Sequence, residues 1–500
     1  MSSSSAEIDQ LLQSLGFVTS SFPKSREKTP AQILAWHSTQ SSAGNDTDYE
    51  TDHRTDGPLP PSLTTDSVKR ATAGQTSELK ELQPTGRFFP MAPETLTEAG
   101  LHLTEVSNLI LKYMAQRGLE SGFNIAIQIG MKFPLIEGIL RQLKVERLVS
   151  YKNSAAGGDY VYELTDQGRE RAMMLVEQNS YMGPAPVPLE QYAQSVRAQS
   201  LEGTKPTLSA IRQAFQGLEV DEEMISRVGQ AIHAGRGMFL YGPAGNGKTS
   251  MAELITKAFG DSIWIPISIS ASGEIIRLFD PNRHKPVPMP VCDPELIDAR
   301  WIQIERPTIV AGGELRMENL EITYIRKAGV GEAPLQMKAN CGTLLIDDFG
   351  RQRMSIDELL NRWIVPLEHR HDYLHLESGR SFQVPFDQMI IFSSNLEPRD
   401  LVDEAFLRRI PYKIEVSNPT EPQFRHLFLS TAARLGFQLQ EETIDYLIET
   451  HYRQANRELR FCHPRDLLRQ MENRCSLHEL PRHINREAID AAIRNYFSIM

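Results

Sequence analysis

A glycine-rich segment between an apolar run and a helical pattern constrains the fold of this 500-residue chain more than any other feature. The apolar run at residues 239–241 is typical of the end of a buried strand, and the helical pattern reaches Phe259. The segment has the spacing G-x-x-x-x-G-K-T, with the residues Gly242, Pro243, Ala244, Gly245, Asn246, Gly247, Lys248 and Thr249, followed by Ser250. Backbone N–H groups of such a loop and the N-terminus of the following helix both favour anions, so the sequence predicts a phosphate site.

Polar side chains follow two further apolar runs. Residues 343–346 end at Asp347 and Asp348, and residues 389–394 end at Asn395. Such apolar runs are typical of strands buried in a parallel sheet. We expect Asp347 and Thr249 to hold Mg²⁺, Asp348 to orient or deprotonate a water molecule, and the neutral amide of Asn395 to hold that water.

Residues 207–500 resemble an AAA+ ATPase in five motifs that occur in the family's order. The matching positions are residues 242–249 for Walker A, 344–348 for Walker B, Asn395 for sensor 1, Arg408 or Arg409 for the arginine finger, and Arg465 for sensor 2. The resemblance implies an α/β P-loop core with a C-terminal helical lid, ATP and Mg²⁺ as cofactors, and ATP hydrolysis. It also implies a homo-oligomer, expected to be a hexamer, in which the finger reaches the phosphate of a neighbouring subunit.

One position departs from the commonest family pattern, which has Asp-Glu in Walker B. The second carboxylate here is Asp348, one methylene shorter, so the water must lie nearer the strand. Some branches, including initiator and helicase-loader types, resemble this chain in having Asp-Asp. We therefore expect activity, at a reduced rate. A scaffold that binds ATP and scarcely hydrolyses it is the alternative.

Two features indicate a branch of the family. Residues 369–376 and 381–384 form alternating runs joined by a glycine turn, which predicts a hairpin directly before Asn395. This position resembles the pre-sensor-1 β-hairpin branch, and residues 363–367 and 380–386 resemble MoxR-type ATPases most. The long connection at 270–335 predicts extra strands at 302–304 and 308–310, as in an insert in helix 2.

Three hairpin histidines raise the question of a metal site. His369, His371 and His375 could be read as ligands, and His369 and His371 share a face at strand spacing, as does Tyr373. Exposed hairpin residues explain them better than metal ligands do, since no fixed ligand motif accompanies them.

Residues 93–178 predict a compact N-terminal unit. Helical patterns at 103–114, 123–129 and 134–146 precede strands at 148–152 and 160–164, and Thr165 is placed to cap a last helix. This order resembles a winged helix-turn-helix domain. Residues 91–180 carry nine Lys and Arg against eleven Asp and Glu, a net charge of −2, so protein docking is favoured over DNA binding.

Composition and the positions of the prolines predict how the rest of the chain is divided. Residues 1–90 are predicted to be a mostly disordered tail, with apolar islands at 8–15 and 33–36 that indicate transient helical turns or a docking peptide. Alternating prolines predict a stiff linker at 181–206, followed by an ATPase core at 207–418 and a helical lid at 419–500.

The whole-chain properties exclude several classes. The net charge of −11 and pI of about 5.7 argue against a protein that coats nucleic acid or membranes. No apolar run is long enough to cross a bilayer, no secretory signal is visible, and the four cysteines form no C-x-x-C pair, so a cytoplasmic location is expected. The sequence favours a chaperone-like ATPase that remodels a protein partner, and a DNA-associated motor or loader is the alternative.

Overall fold

The computed structural model of the chain describes residues 88–235, 237–288, 294–325 and 329–498. The predicted tail, with both apolar islands, lies outside the described residues except for 88–90. Phe88 and Phe89 pack on Trp301 and Trp264, with ring centroids 5.2 and 5.9 Å apart, so the end of that segment belongs to the folded part. Within the described ranges no single helix is long and apolar enough to span a membrane; one bent pair, 122–129 with 133–145, passes by length and composition only.

Residues 96–178 form a group of helices around a three-stranded antiparallel sheet. Its elements are α1 (Leu96–Ala99), α2 (Leu103–Arg117), β1 (Leu119–Ser121), α3 (Gly122–Ile129), α4 (Phe133–Val145), β2 (Val149–Ser154), β3 (Tyr160–Leu164) and α5 (Asp166–Gln178). The strands pair in the order β1-β3-β2. The Thr165 hydroxyl accepts from the Gly168 N–H and caps α5, and Pro134 lies in the first turn of α4, where its missing N–H is not needed. The helices and hairpin predicted here are present.

The segment predicted as a linker, residues 181–206, is folded against the rest of the chain. β4 (Val187–Pro188) pairs in parallel with the strand Ser268–Ala271, and α6 (Leu189–Ala198) buries Tyr192 and Val196. The Tyr181 hydroxyl donates to Pro184 O at 2.7 Å and lies 2.7 Å from Ser268 Oγ. The prediction of a separating spacer was wrong, because an extended proline-rich segment also suits an edge strand, where proline is tolerated.

A five-stranded parallel sheet forms the centre of the molecule. In spatial order its strands are β10 (Thr308–Ala311), β13 (Thr343–Ile346), β16 (Met389–Ser394), β5 (Met238–Tyr241) and β17 (Tyr412–Glu415). One face, with Leu345 and Ile391, packs against α7 (Leu208–Ala214), α8 (Glu222–Ala234) and α9 (Lys248–Ala258). The other face, with Leu344 and Ile390, packs against α10 (Leu335–Lys338), α11 (Ile356–His369), α12 (Pro398–Leu401) and α13 (Glu404–Arg409). Successive side chains of each strand thus enter opposite cores.

A smaller β-region lies beside this sheet. It contains β6 (Ser262–Pro266) paired with β9 (Trp301–Glu305), and β7 (Ser268–Ala271), β8 (Glu274–Arg277), β11 (Thr323–Ile325) and β12 (Val330–Glu332), which join β4 in a second sheet. Residues 302–304 lie in β9, outside the central sheet, as expected for a strand of an insert. Residues 308–310 form β10, the edge strand of the central sheet, so their assignment to the insert was wrong. An apolar run shows that a strand exists but does not show which sheet it joins.

A hairpin and a helical lid complete the fold. β14 (His371–His375) pairs with β15 (Ser381–Pro385) directly before β16, as predicted. The lid contains α14 (Glu421–Arg434), α15 (Glu441–Tyr446), a π-helix (Leu447–Arg453), α16 (Cys462–Leu477) and α17 (Arg486–Tyr496), which Asn485 caps. A parallel sheet with helices on both faces and a C-terminal helical lid confirms the predicted α/β fold.

Candidate functional site

The phosphate loop connects β5 to α9. Gly242, Gly245 and Gly247 have φ values of +132°, +84° and +80°, a region that side chains other than glycine's rarely enter. A Cβ on Gly242 would lie 2.5 Å from Val416 O, so a side chain has no room there. The strand, loop and helix predicted from the sequence are therefore present, and the three glycines set the shape of the loop.

The first turn of α9 begins at the loop. Its first helical bond runs from the Met251 N–H to Gly247 O at 2.8 Å. The N–H groups of Lys248, Thr249 and Ser250 precede that bond and have no acceptor within the helix, and no side chain caps the end at Gly247. These donors and the helix dipole make this end of α9 suited to an anion.

Lys248 is 7% exposed, and its ammonium group lies between the loop and the end of β16. Its Nζ donates to Gly242 O at 2.8 Å and to Pro243 O at 3.1 Å. It also donates to Asn395 Oδ1 at 2.8 Å, which joins the loop to the end of β16. Burial lowers the pKa of Lys248 and the charge of Arg460 lowers it further, while Asp347 and Asp348 oppose both effects.

Two oxygen ligands for a cation lie side by side. The Thr249 hydroxyl donates to Asp347 Oδ2 at 2.7 Å, across the gap between α9 and β13. Hydroxyl and carboxylate oxygens are the hard ligands that Mg²⁺ prefers, and such sites usually use few protein ligands beside phosphate and water. Among the described residues no group of three His, Cys, Asp or Glu side chains is placed to hold a metal ion. The pair therefore fits a Mg²⁺ ion that phosphate oxygens and water would complete.

Asp348 follows in a left-handed conformation, with φ +49°. Its N–H donates to Asp347 Oδ1 at 3.0 Å, whereas its own exposed carboxylate accepts no hydrogen bond from any described residue. Gln352 holds this turn, because its Nε2 donates to Asp347 O at 2.9 Å and to Asp348 O at 3.2 Å. No sequence motif indicates Gln352, which acts on the backbone across a turn.

The two candidate finger arginines differ in environment. Arg408 is 77% exposed, and its one bond to another described residue is to Glu404 of its own helix, at 3.1 Å. Arg409 is 27% exposed, and its Nε donates to Glu368 of α11 at 2.7 Å. Neither contacts the phosphate loop of its own chain among the described residues. The exposure of Arg408 leaves it the freer of the two to reach another molecule.

The lid brings a different arginine to the loop than the motif indicated. Arg465 lies in the first turn of α16, where its Nε donates to Asp466 Oδ1 at 2.9 Å. Arg460 lies just before that helix, and its Nη1 donates to Ala244 O at 3.2 Å. Arg460 lies outside the predicted sensor 2 segment, and its position directly before that segment is the signal in the sequence that points to it.

The hairpin histidines do not converge on a common point. The rings of His369 and His371 stack with centroids 5.8 Å apart, and His371 meets Tyr373 edge-on at 5.3 Å. His375 lies 3.9 Å from Glu321 instead. The three histidines are thus placed as separate residues on the surface of the hairpin.

The chain is similar to one protein family and to several solved structures. A family described as a domain of unknown function (DUF8689) matches residues 420–495, which lie in the lid. No curated protein matches the chain.

The similar structures include NtrX from Brucella abortus in complex with ATP. It is 12% identical, with a TM-score of 0.36 over 57% of this chain and 59% of the NtrX chain. NtrX in complex with ADP is 14% identical, with a TM-score of 0.35 over 65% of this chain and 66% of the other. The RuvB Holliday junction branch migration motor of Thermotoga maritima is 12% identical, with a TM-score of 0.31 over 55% of this chain and 69% of the other.

This chain thus spans about three fifths of the length of the NtrX chain in complex with ATP. TM-scores of 0.31 to 0.36 are too low to support an argument about function. The fold assignment rests on the strand order, the phosphate loop and the helical lid.

Proposed function

We propose that this chain is a Mg²⁺-dependent ATPase whose active site is the phosphate loop and the adjoining carboxyl edge of the central sheet. One observation carries the proposal: Lys248 joins the loop to Asn395 through its ammonium, while Thr249 and Asp347 lie 2.7 Å apart beside it. A cation, an anion-binding loop and a pair of hard oxygen ligands at one edge suit a nucleoside triphosphate with its metal.

Each residue has a distinct task in this proposal. The loop from Gly242 to Gly247 and the first turn of α9 bind phosphate oxygens through N–H groups, and Lys248 adds a full charge. Thr249 and Asp347 would hold Mg²⁺, which neutralises charge on the phosphates when bound. Asp348, whose carboxylate accepts no hydrogen bond from the described part of the chain, orients or deprotonates the attacking water, and the Asn395 amide positions that water.

The test of the active site is a substitution that separates binding from turnover. Asp348→Asn keeps the shape of the side chain and removes the base, so we expect ATP affinity close to that of the wild type and turnover lowered by about 100-fold or more. Lys248→Ala, the matched control, is expected to lose binding itself. Wild-type turnover in Asp348→Asn would refute the role of Asp348. Absence of ATP binding in the wild type would refute the ATPase proposal.

We propose further that the ATPase works as a homo-oligomer, with a hexamer as the expected ring. Arg408 supports this because it is exposed and touches no phosphate-binding residue of its own chain among those described. Arg408→Ala should abolish turnover and leave ATP binding largely intact. Arg409→Ala should chiefly loosen the contact with Glu368. Arg171→Ala, which removes an exposed arginine from the N-terminal domain, should change neither turnover nor ATP binding. Full turnover in Arg408→Ala would exclude it as a finger in trans.

The N-terminal domain is proposed to be a winged-helix domain that docks a protein client. Two of its candidate DNA-contacting cations are already paired: Arg141 with Glu137 at 2.6 Å and Lys152 with Glu163 at 3.3 Å. Lys144 lies over the Tyr151 ring, 3.4 Å from its centroid. Together with the net charge of −2, this supports a protein partner. The hairpin before β16 supports placement in the pre-sensor-1 branch, with MoxR-type chaperone-like ATPases as the nearest type.

A DNA-associated motor or loader remains the alternative, and one experiment separates the two. Asp348→Asn, held in its ATP-bound state, is used to capture partners from nuclease-treated lysate, with Lys248→Ala as control. A protein enriched only in the Asp348→Asn sample supports a remodelling ATPase. Loss of every partner on nuclease treatment, together with salt-sensitive binding of the full chain to DNA, supports the motor.

A further inference from the structure

Three consecutive residues of the phosphate loop contact three consecutive residues of the lid. Arg460 Nη1 donates to Ala244 O at 3.2 Å, and the Cys462 N–H donates to Gly245 O at 3.0 Å. The Phe461 N–H donates to Asn246 Oδ1 at 3.3 Å. We propose that these contacts form a clasp, defined by residues 244–246 and 460–462, which holds the phosphate loop in its binding shape and couples it to the lid.

Asn246 is the positioning residue of the clasp. Its side chain is 4% exposed and turns toward the protein. Its Nδ2 donates to Asn418 Oδ1 at 2.8 Å and to Ser417 O at 3.1 Å, and its Oδ1 accepts from Phe461. Asn246 therefore bonds the segment after β17 and the start of the lid helix together, with both ends of its amide used. A side chain that only lined the phosphate site would not need these partners.

The clasp acts on the backbone that would meet the phosphates. In a trans peptide unit the C=O and N–H point in opposite directions. When Arg460 holds Ala244 O, it fixes the direction of the Gly245 N–H; when the Cys462 N–H holds Gly245 O, it fixes the direction of the Asn246 N–H. The lid thus orients two loop donors from behind, before any ligand arrives, which is a form of preorganisation.

The contact between the loop and the lid leaves no space for a side chain at Gly245. A Cβ added there would lie 2.5 Å from Cys462 Sγ, so the lid is seated directly on the loop. Arg460 contributes charge as well as a hydrogen bond, because its guanidinium group lies at the loop, in contact with Ala244 O. Movement of the lid away from the core would therefore release the backbone of the loop and remove a positive charge from the site at the same time. The coupling to nucleotide rests on the proposed function, but the clasp itself does not.

The native thiol of Cys462 reports on the clasp without any nucleotide. In the full-length protein, the rate of maleimide labelling at Cys462 is followed by mass spectrometry of the modified peptide. Cys475 lies on the same helix and is buried, so the ratio of the two rates separates opening of the clasp from unfolding of the lid. We expect Asn246→Ala to raise this ratio several-fold. Asn418→Ala, which leaves the loop sequence unchanged, should raise it to a smaller extent.

Nucleotide binding is measured on the same variants. Loss of one or two hydrogen bonds predicts ATP binding about tenfold weaker in Asn246→Ala, and binding closer to that of the wild type in Asn246→Gln, which keeps the amide group. An unchanged labelling ratio in both Asn246→Ala and Asn418→Ala overturns the clasp. A raised ratio with unchanged ATP affinity overturns the positioning role. A wild type that binds no ATP, with the ratio still raised by Asn246→Ala, refutes the proposed function and supports the clasp.

Discussion

Replacing Gly245 with alanine perturbs the phosphate loop in two separable ways. The residue has φ +84°, where a Cβ costs about 1–2 kcal/mol. The same Cβ would meet Cys462 Sγ at 2.5 Å, and the displacement needed to relieve such overpacking costs about 1–3 kcal/mol. The empty loop can escape both costs only by releasing the clasp, whereas a loop that binds phosphates has to keep its shape. The penalty of about 2–5 kcal/mol is therefore expected chiefly in ATP binding, which becomes weaker by a factor between about 30 and several thousand.

A second substitution isolates the steric part. In Cys462→Ala the Sγ is gone, and the atoms that then lie nearest to the Cβ of Ala at position 245 are Cys462 Cβ at 3.5 Å and Arg460 Cδ at 4.0 Å, both ordinary contacts. The backbone N–H that donates to Gly245 O is unaffected. Cys462→Ala alone should therefore change ATP affinity little, while the double variant should recover the steric part and keep only the backbone strain, a loss of about 5- to 30-fold.

The assay is equilibrium binding of a fluorescent ATP analogue to the four proteins of this cycle. Circular dichroism melting curves show that each variant is folded. A double variant that binds as weakly as Gly245→Ala would show that Cys462 is not what limits the space at Gly245. Full wild-type affinity in Gly245→Ala would refute the reasoning on both strain and packing.

Three further predictions concern the buried ion pair, the lid and the metal ligands. Arg300→Ala leaves the buried Asp298 carboxylate without its bidentate partner and cuts the bond to Ala99 O, so the chain should lose about 3–5 kcal/mol of stability; an unchanged melting temperature would contradict this. Burial lowers the pKa of His463 to about 4. Between pH 6.5 and 4 the unfolded lid therefore binds more protons than the folded lid, and the stability of the lid should fall as the pH drops through that window. His463→Phe should abolish that dependence in hydrogen exchange of α16, and identical pH profiles would argue against it. Thr249→Ala should weaken the effect of Mg²⁺ on ATP affinity by about tenfold, measured with and without EDTA; an undiminished Mg²⁺ effect would exclude Thr249 as a ligand.

The sequence predicted those parts of the structure that depend on short spacings. The phosphate loop, the strand before Asp347 and the hairpin before β16 are each set by residues within about fifteen positions of one another. Local apolar patterns also placed the N-terminal helices within a few residues of their observed bounds. Such elements are predictable because turn chemistry and side-chain periodicity act locally.

The parts that the sequence did not predict depend on distant pairing. Residues 308–310 and 302–304 look alike as short apolar runs, yet one joins the central sheet and the other an insert. Arg460 and Gln352 donate to backbone oxygens. Every residue has such an oxygen, so no sequence motif indicates the contact. The second role of Asn246, inside a motif that was recognised, depends on the lid some 215 residues further on. Contacts of this kind depend on the tertiary fold, and the spacing of residues in the sequence does not indicate them.

The pairing of β4 with β7 decides where this protein can be divided. A shortened chain beginning at residue 207 would match the expected start of the ATPase core, but it would lack β4 and α6. The backbone edge of β7 would then lie open, and Ile265 and Ile269 would lose the cover of Tyr192 and Val196. An uncovered edge beside an apolar surface is a template for another strand. Self-association of such a fragment would come from its cut edge and would say nothing about the oligomeric state of the intact chain.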